Sequence, residues 1–318
     1  MKVTEYFEKA NGKTLISFEI LPPLKGSTIQ EIFDALDPLM EFKPPFVDVT
    51  YHREEFIYKS MPSGHFEKVA IRKRPGTIGI CSAISMRYGV DAVPHLLCGG
   101  FTKEETENAL IDLNFLGIHN VLALRGDSRT FEDKFVPEEN GHAYAIDLVR
   151  QIVDMNNGKY MDEHVINGAN TDFCIGVAGY PEKHFESPNM EADIINLKKK
   201  VDAGANYIVT QLFFDNQKFF DFVQKCRDAG IQVPIIPGLK PVTKKYQLNS
   251  IPRKFYVNFP EDLVKALLSA KNAAARTQVG IEWAIMQSKE LKAAGVPGIH
   301  YYTMGDSAII QKIAEAIF

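Results

Sequence analysis

The chain has 318 residues, 45% of them apolar, and carries 36 Lys and Arg against 40 Asp and Glu, a net charge of -4. That length and apolar content bury a large core, either as two ordinary domains or as one α/β barrel. The charges are intermixed, with no basic stripe to follow a phosphate backbone, and no apolar run nears the ~20 residues a bilayer requires, so neither nucleic acid nor membrane is an expected partner.

The first residues, MKVTEYFEK, lack an apolar signal core, which predicts a cytoplasmic protein. Cys81, Cys98, Cys174 and Cys226 are scattered without a Cys-x-x-Cys pair, each in or beside an apolar segment, and read as reduced core residues.

In chain order, residues 15–21 form a first strand stopped by Pro22 and Pro23, which cannot donate to a ladder. Its period of two puts Leu15, Ser17 and Glu19 on one face and Ile16, Phe18 and Ile20 on the other, leaving Glu19 near the carboxyl end. A helix follows over 28–41, then a strand over 46–51 ending in Thr50 and Tyr51. Residues 52–76 are polar, basic and punctuated by Pro62, Gly64, Pro75 and Gly76, and read as a long loop over the strand ends. Residues 77–87 suit a helix, although Thr77 to Ile80 is also strand-like. A strand over 90–98 contains His95, and the helix over 102–116 opens on a Thr102 cap with Glu104 and Glu105 in its first turn.

The strand over 119–125 is an aliphatic run of the kind buried on both faces in parallel sheets, and it ends in Arg125, Gly126 and Asp127. Gly126 permits a tight turn there. Helix 144–155 and a Gly- and Asn-rich loop over 156–171 precede a strand over 173–180, which ends at Tyr180 with His184 just beyond. In the helix over 190–203, Ile194, Leu197 and Val201 form a core stripe beside Asp193, Asn196 and Lys200. Strands over 207–212, 233–237 and 298–302 alternate with helices over 215–229, 243–251, 261–269, 271–294 and 307–317. Eight strands alternating with helices, without repeat or composition break, predict a single α/β domain, a (β/α)8 TIM barrel. A doubly wound sheet in two domains is the alternative.

A barrel collects its chemistry from several strand ends at one face. Here those ends offer Glu19, Thr50, Tyr51, His95, Arg125, Gly126, Asp127, Tyr180, His184, Gln211 and Tyr302. Singly, each has a plain structural reading as a rim ion pair, a satisfied core histidine or mouth packing. The chain lacks a phosphate-binding P-loop, a His-Glu-x-x-His helix, a Gly-x-Gly-x-x-Gly fingerprint and a Gly-x-Ser-x-Gly elbow. No metal is expected, because His95 and His184 are not joined by carboxylates at ligand spacing. A wide cleft with aromatic, amide, cationic and carboxylate groups suits a large aromatic ligand bearing phosphates. Lys198, Lys199 and Lys200 either neutralise a diphosphate or form a solvated basic face.

These residues resemble the methylenetetrahydrofolate reductases, in the compact bacterial form that has only the catalytic barrel. The resemblance runs nearly end to end, through SFEILPP at 17–23, VDVTY at 47–51, PHL at 94–96, LALRGD at 122–127, AGYPE at 178–182 with His184, residues 193–204, Thr210 and Gln211 with FFD at 213–215, IIPG at 235–238 and HYYT at 300–303. It implies a flavoenzyme that uses FAD to pass a hydride from NAD(P)H to 5,10-methylenetetrahydrofolate, giving 5-methyltetrahydrofolate. The two substrates take turns on one flavin face, which accounts for the missing dinucleotide fingerprint. Carried over residue by residue, the FAD contacts fall on Thr50, Tyr51, His95, Leu124, Arg125, Gly126, Asp127, Tyr144, Ala145, Tyr180, His184, Asp193, Asn196, Lys199 and Lys200. The folate contacts fall on Glu19, Asp127, Gln211, Gln247 and Tyr302.

The resemblance gives Glu19 the role of general acid. A carboxyl desolvated beside Phe18 and near Asp127 is expected to hold a proton near neutral pH, as opening the folate's five-membered ring requires. Asp127 beside the flavin is expected to tune its potential and bind the pterin. The alternative is a non-flavin barrel lyase or transferase acting on a pterin or phosphorylated substrate, or a binding barrel without turnover. Assembly with copies of itself is expected. The chain departs from the family pattern at Lys199, where arginine is expected and a bidentate phosphate contact becomes a point charge, at Ile251 in place of a stacking aromatic, and at Asp306 in place of arginine.

Overall fold

The computed structural model describes residues 1–128, 132 and 134–318. Helix α1 (Val3–Ala10) precedes β1 (Leu15–Ile20), and α2 (Gln30–Leu36) continues as a 3-10 turn (Asp37–Phe42) into β2 (Phe46–Val49). Strands β3 (Glu55–Ser60) and β4 (Phe66–Ile71) come before α3 (Thr77–Tyr88), β5 (Asp91–Leu97), α4 (Lys103–Phe115), β6 (Asn120–Leu124) and α5 (Ala145–Asn156). Then follow β7 (Cys174–Gly179), α6 (Met190–Asp202), β8 (Tyr207–Thr210), α7 (Asn216–Asp228), β9 (Ile235–Ile236) and β10 (Gly238–Leu239). The chain ends through α8 (Gln247–Phe255), α9 (Glu261–Ser269), α10 (Ala273–Ala293), β11 (Gly298–Tyr302) and α11 (Ser307–Glu315).

The large sheet runs β10-β11-β1-β2-β5-β6-β7-β8-β9, parallel throughout. β9 and β10 are one stave split at Pro237, whose ring cannot donate but whose carbonyl accepts from His300 N at 2.9 Å. Because β9 bonds β8 and β10 bonds β11, the sheet closes into a barrel of eight staves, the architecture the strand pattern predicts. Alternation sorts the side chains as expected for β1. Ile16, Phe18 and Ile20 join the apolar layer beneath the helices with Leu36, Ile84 and Leu110, while Ser17 and Glu19 turn inward. A second apolar cluster, including Phe46, Val93, Leu122, Tyr207 and Ile236, fills the lower interior.

Helix α1, not anticipated from the residue pattern, closes the amino-terminal end of the barrel. Val3 joins the inner cluster and its N–H donates to Asn120 Oδ1 at 2.8 Å, Tyr6 OH donates to Asp91 Oδ2 at 2.6 Å, and the Phe7 ring meets Phe46 edge-on at 6.3 Å. Asp91, Asn120 and Phe46 are the first residues of their strands, so this end is sealed and the carboxyl ends remain for chemistry.

Residues 52–76 correct the expected loop. β3 and β4 pair antiparallel from Glu55 opposite Ile71 to Ser60 opposite Phe66, around a turn in which Met61 N donates to His65 O at 2.8 Å. Pro62 and Gly64 punctuate this hairpin's turn, and no apolar alternation revealed its strands because its turn end is wet on both faces, with Tyr58 and Phe66 exposed on one and Lys59 and Glu67 on the other. The predicted helix over 243–251 begins later, at Gln247, because residues 243–246 form a turn that the Gln247 side chain holds. The 156–171 segment has no helix beyond Asn156 and no strand, as read. All four cysteines are free and buried. Among the described residues no helix is long and apolar enough to cross a membrane.

Close packing in the barrel interior is tested at Gly176 of β7, where a Cβ would lie 2.3 Å from the fully buried Tyr207 ring. Gly176→Ala is expected to destabilise the fold by about 1–3 kcal/mol, read as a lower urea midpoint with an unchanged slope. An unchanged midpoint would mean that the ring moves aside freely.

Candidate active site

Three titratable groups meet inside the barrel toward the carboxyl ends of β1, β2 and β5. Glu19 lies opposite Asp48 in the ladder, so adjacent strands aim two carboxyls into the same interior. His95 Nε2 stands 3.7 Å from Glu19 Oε2 and 3.5 Å from Asp48 Oδ2. The Glu19 side chain is 14% exposed and Asp48 is fully buried. Burial pushes the Glu19 carboxyl up to about 7, with Asp48 adding to the rise and His95 and Lys240 opposing it. The like charge that reinforces burial is therefore Asp48, not the expected Asp127, and Phe18 turns away from the site to stack on Tyr301 at 6.4 Å. Burial pulls the His95 imidazole down, but Asp48 and Glu19 outweigh it, and its value rises.

Above this cluster, Tyr302 pairs with Glu19 in the ladder and its OH donates to Thr210 O at 2.6 Å, fixing the ring across the mouth. The Gln211 carbonyl accepts from Leu212 N at 2.9 Å. Gln247 is buried, and its carbonyl accepts from Thr243 N and Lys244 N at 2.8 Å each, so that oxygen serves its own loop.

A second group gathers beyond β6 and β7. Gly126, at φ +86°, takes the left-handed turn after Arg125, and Asp127 beyond it is exposed. Arg125 pairs with Glu186 and lies over the Phe135 ring at 5.2 Å. Tyr180 meets His184 edge-on at 4.8 Å, and Asp193 of α6 fixes the loop between them by accepting from His184 N at 3.0 Å and Ser187 Oγ at 2.8 Å. Lys200 Nζ donates to Ala178 O at 2.8 Å, and burial pushes its ammonium down to about 8 against the pull of Asp193. Burial and Arg125 both lower His184, which favours the neutral ring. Asn196 and Lys199 lie exposed along α6, and Tyr144 and Ala145 stand at the start of α5, with the Tyr144 ring exposed.

Thr50 and Tyr51 follow β2, and Leu124 ends β6 beside the lower interior cluster. Thr50 Oγ1, Tyr51 OH and His95 Nε2 are buried polar atoms without a hydrogen-bond partner among the described residues. Sequence reasoning missed Asp48, although the alternation that buries Val47 and Val49 under the helices turns it inward. It also missed Lys240, a buried cation one residue past β10 that faces Glu19 and Asp306. Further out, Phe185 stacks on Tyr256 at 4.8 Å and carries the aromatic row of Tyr180 and His184 toward solvent.

A closed parallel barrel with an acid–base cluster and unpartnered polar groups at its carboxyl-end mouth has the layout of an α/β-barrel enzyme. A family model for methylenetetrahydrofolate reductase matches residues 3–317. The 5,10-methylenetetrahydrofolate reductase of Salmonella typhimurium is 33% identical over 310 residues, covering 97% of this chain and 92% of that protein. Methylenetetrahydrofolate reductase (NADH) 1 of Arabidopsis thaliana is 34% identical over 316 residues, 96% of this chain, which spans about half (48%) of the plant protein. The chain belongs to the methylenetetrahydrofolate reductase family. An uncharacterized Clostridium thermocellum protein described as binding two copies of 5-methyl-5,6,7,8-tetrahydrofolic acid superposes with a TM-score of 0.57 over 98% of both chains at 15% identity, a likeness of fold alone.

The raised Glu19 value has a consequence for stability. Its folded value, about 7, lies above the 4.5 of an unperturbed carboxyl, so between those limits the folded chain binds more protons and stability falls as pH rises. The shift corresponds to roughly 3 kcal/mol at full ionisation. Glu19→Gln is therefore expected to match the parent near pH 4 and to exceed it in unfolding free energy at pH 8. Parallel stability curves for the two proteins across that range would contradict the raised value.

Proposed function

We propose that this chain is an FAD-dependent reductase, one catalytic barrel domain over residues 1–318, that converts 5,10-methylenetetrahydrofolate to 5-methyltetrahydrofolate with NADH or NADPH as reductant. The observation that carries the reading is Glu19, a carboxyl enclosed at a strand end and biased toward its protonated form at neutral pH. Reduction of a methylene bridge between two nitrogens requires one C–N bond to open, and the departing nitrogen needs a proton at that moment.

The residues present fit FAD. Thr50 Oγ1 and Tyr51 OH are buried and lack a hydrogen-bond partner among the described residues, the state expected of groups whose partner is a bound polar molecule, and His95 of β5 joins them in the proposed set. With them, Leu124, Arg125, Gly126, Asp127, Tyr144, Ala145, Tyr180, His184, Asp193, Asn196, Lys199 and Lys200 would hold the cofactor, with the α6 lysines toward its diphosphate. When bound, FAD supplies acceptance of a hydride from the nicotinamide and its donation to the folate carbon.

The chain's own residues do the rest. Glu19 holds the proton and delivers it from its carboxyl oxygen to the departing nitrogen. Gln211 and Tyr302 border the same mouth and orient the pterin, and Gln247 keeps the loop after β10 in place beside them. Asp127, exposed in the turn after β6, binds the pterin edge as an acceptor. One pocket serves nicotinamide and folate in turn, a ping-pong order.

The reading is tested by adding FAD to purified protein and following its visible absorption. The protein is expected to retain the flavin, NADH or NADPH to bleach it without oxygen, and 5,10-methylenetetrahydrofolate to restore the colour. Glu19→Gln is expected to slow the restoring step by on the order of 10²–10⁴-fold while bleaching persists. A protein that takes up no flavin is a lyase, transferase or binding barrel instead.

A further inference from the structure

Asp48 has no part in the chemistry above, yet it is fully buried and neither of its oxygens has a hydrogen-bond partner among the described residues. A carboxylate enclosed in this way requires a nearby positive charge or a proton. The nearest candidate is His95, whose Nε2 is 3.5 Å from Asp48 and 3.7 Å from Glu19, so that one nitrogen faces both carboxyls. The strand register makes this arrangement rigid: Glu19 is opposite Asp48, Asp48 is opposite Val93, and His95 is the next inward residue of β5.

The other titratable groups around Asp48 do not compete for the role. His300 of β11 shares Nδ1 with Ser17 Oγ at 2.9 Å, and burial lowers its value, with Asp48 opposing. Tyr207 of β8 and Tyr302 of β11 are driven up by burial and stay phenols at neutral pH, and Cys81 of α3 stays a thiol for the same reason. Lys240, past β10, faces Glu19 and Asp306. Of these groups, His95 is the one held between Asp48 and Glu19 and raised by both.

We infer that Asp48 and His95 form a proton store behind the general acid: Asp48 holds His95 as an imidazolium, and His95 returns a proton to Glu19 after each turnover. The inference rests on the reductase reading of Glu19. During reduction the C–N bond breaks with its electron pair passing to nitrogen, and that nitrogen takes the Glu19 proton as the carboxyl O–H bond breaks. The Nε2–H bond of His95 then breaks and an O–H bond forms on Glu19, leaving a neutral imidazole against the Asp48 carboxylate. Solvent supplies the next proton to His95, the one proton that reduction by a nicotinamide hydride consumes overall. Asp48 and His95 act here as positioning residues, through Glu19.

The test is a carbon-13 NMR titration of glutamate-labelled protein without substrate, with the Glu19 carboxyl assigned through Glu19→Gln. In Asp48→Asn with histidine labelled as well, the His95 midpoint is expected to move to lower pH by about 1, the effect of removing the close opposite charge that holds its proton. The basic limb of folate-reduction kcat/KM should move the same way. A midpoint and a limb that both stay where they are in the parent would overturn the store. If Asp48→Asn does not fold, the parent decides: Glu19 and His95 signals are expected to titrate in two shared steps, and two independent single steps overturn the inference. Failure of NADH and NADPH to bleach the parent's flavin removes the reductase reading instead, while the substrate-free titration still judges the store.

Discussion

Two carboxyls facing one another across a single rung of the β1–β2 ladder set the terms for the rest of the barrel. A parallel barrel normally fills its interior with branched apolar side chains, and here the lower half does so with Phe46, Val93, Leu122 and Ile236. The upper half instead holds Glu19, Asp48, His95, His300 and Ser17, groups that are costly to enclose unless protons are shared among them. The α1 seal below and the Tyr302 ring above keep that half apart from bulk water on two sides. Burial is thus the cause of the Glu19 shift, and Asp48 its reinforcement.

The flanking loops complete the site in a different way. Around β6, β7 and α6 the charged groups have partners within the chain: Arg125 pairs with Glu186, Asp193 accepts from a backbone N–H and a hydroxyl, and Lys200 donates to a carbonyl. These bonds hold the mouth's wall in a fixed shape, which favours binding a preorganised ligand over adapting to it. Lys240 and Asp306 sit on the opposite side of the mouth, near Lys244, whose Nζ is 3.9 Å from Asp306 Oδ2. The acid at 306 therefore stands next to cations that the sequence pattern did not pair with it.

Much of the barrel was legible because its signals are local. The aliphatic run at 121–124, the Thr102 capping box with Glu105, and the alternation in 15–20 each reflect burial or hydrogen bonding within a few residues. The hairpin of β3 and β4 was not legible, since a strand pair wet on both faces at its turn end leaves no apolar period. Helix α1 escaped for a related reason: its one fully buried residue, Val3, gains its meaning from strands that lie far along the chain. In the site, single strand ends could be named from sequence, whereas their mutual electrostatics could not. Which acid stands next to Glu19 depends on the stagger between neighbouring strands, and only the register shows it to be Asp48 and not Asp127.

The central claim is a Glu19 carboxyl that stays protonated close to neutral pH, and infrared difference spectroscopy sees that proton directly. Subtracting the Glu19→Gln spectrum from the parent's should leave a protonated-carboxyl stretch at pH 6 that is gone at pH 9. A difference spectrum showing only ionised carboxylate at pH 6 would contradict the account.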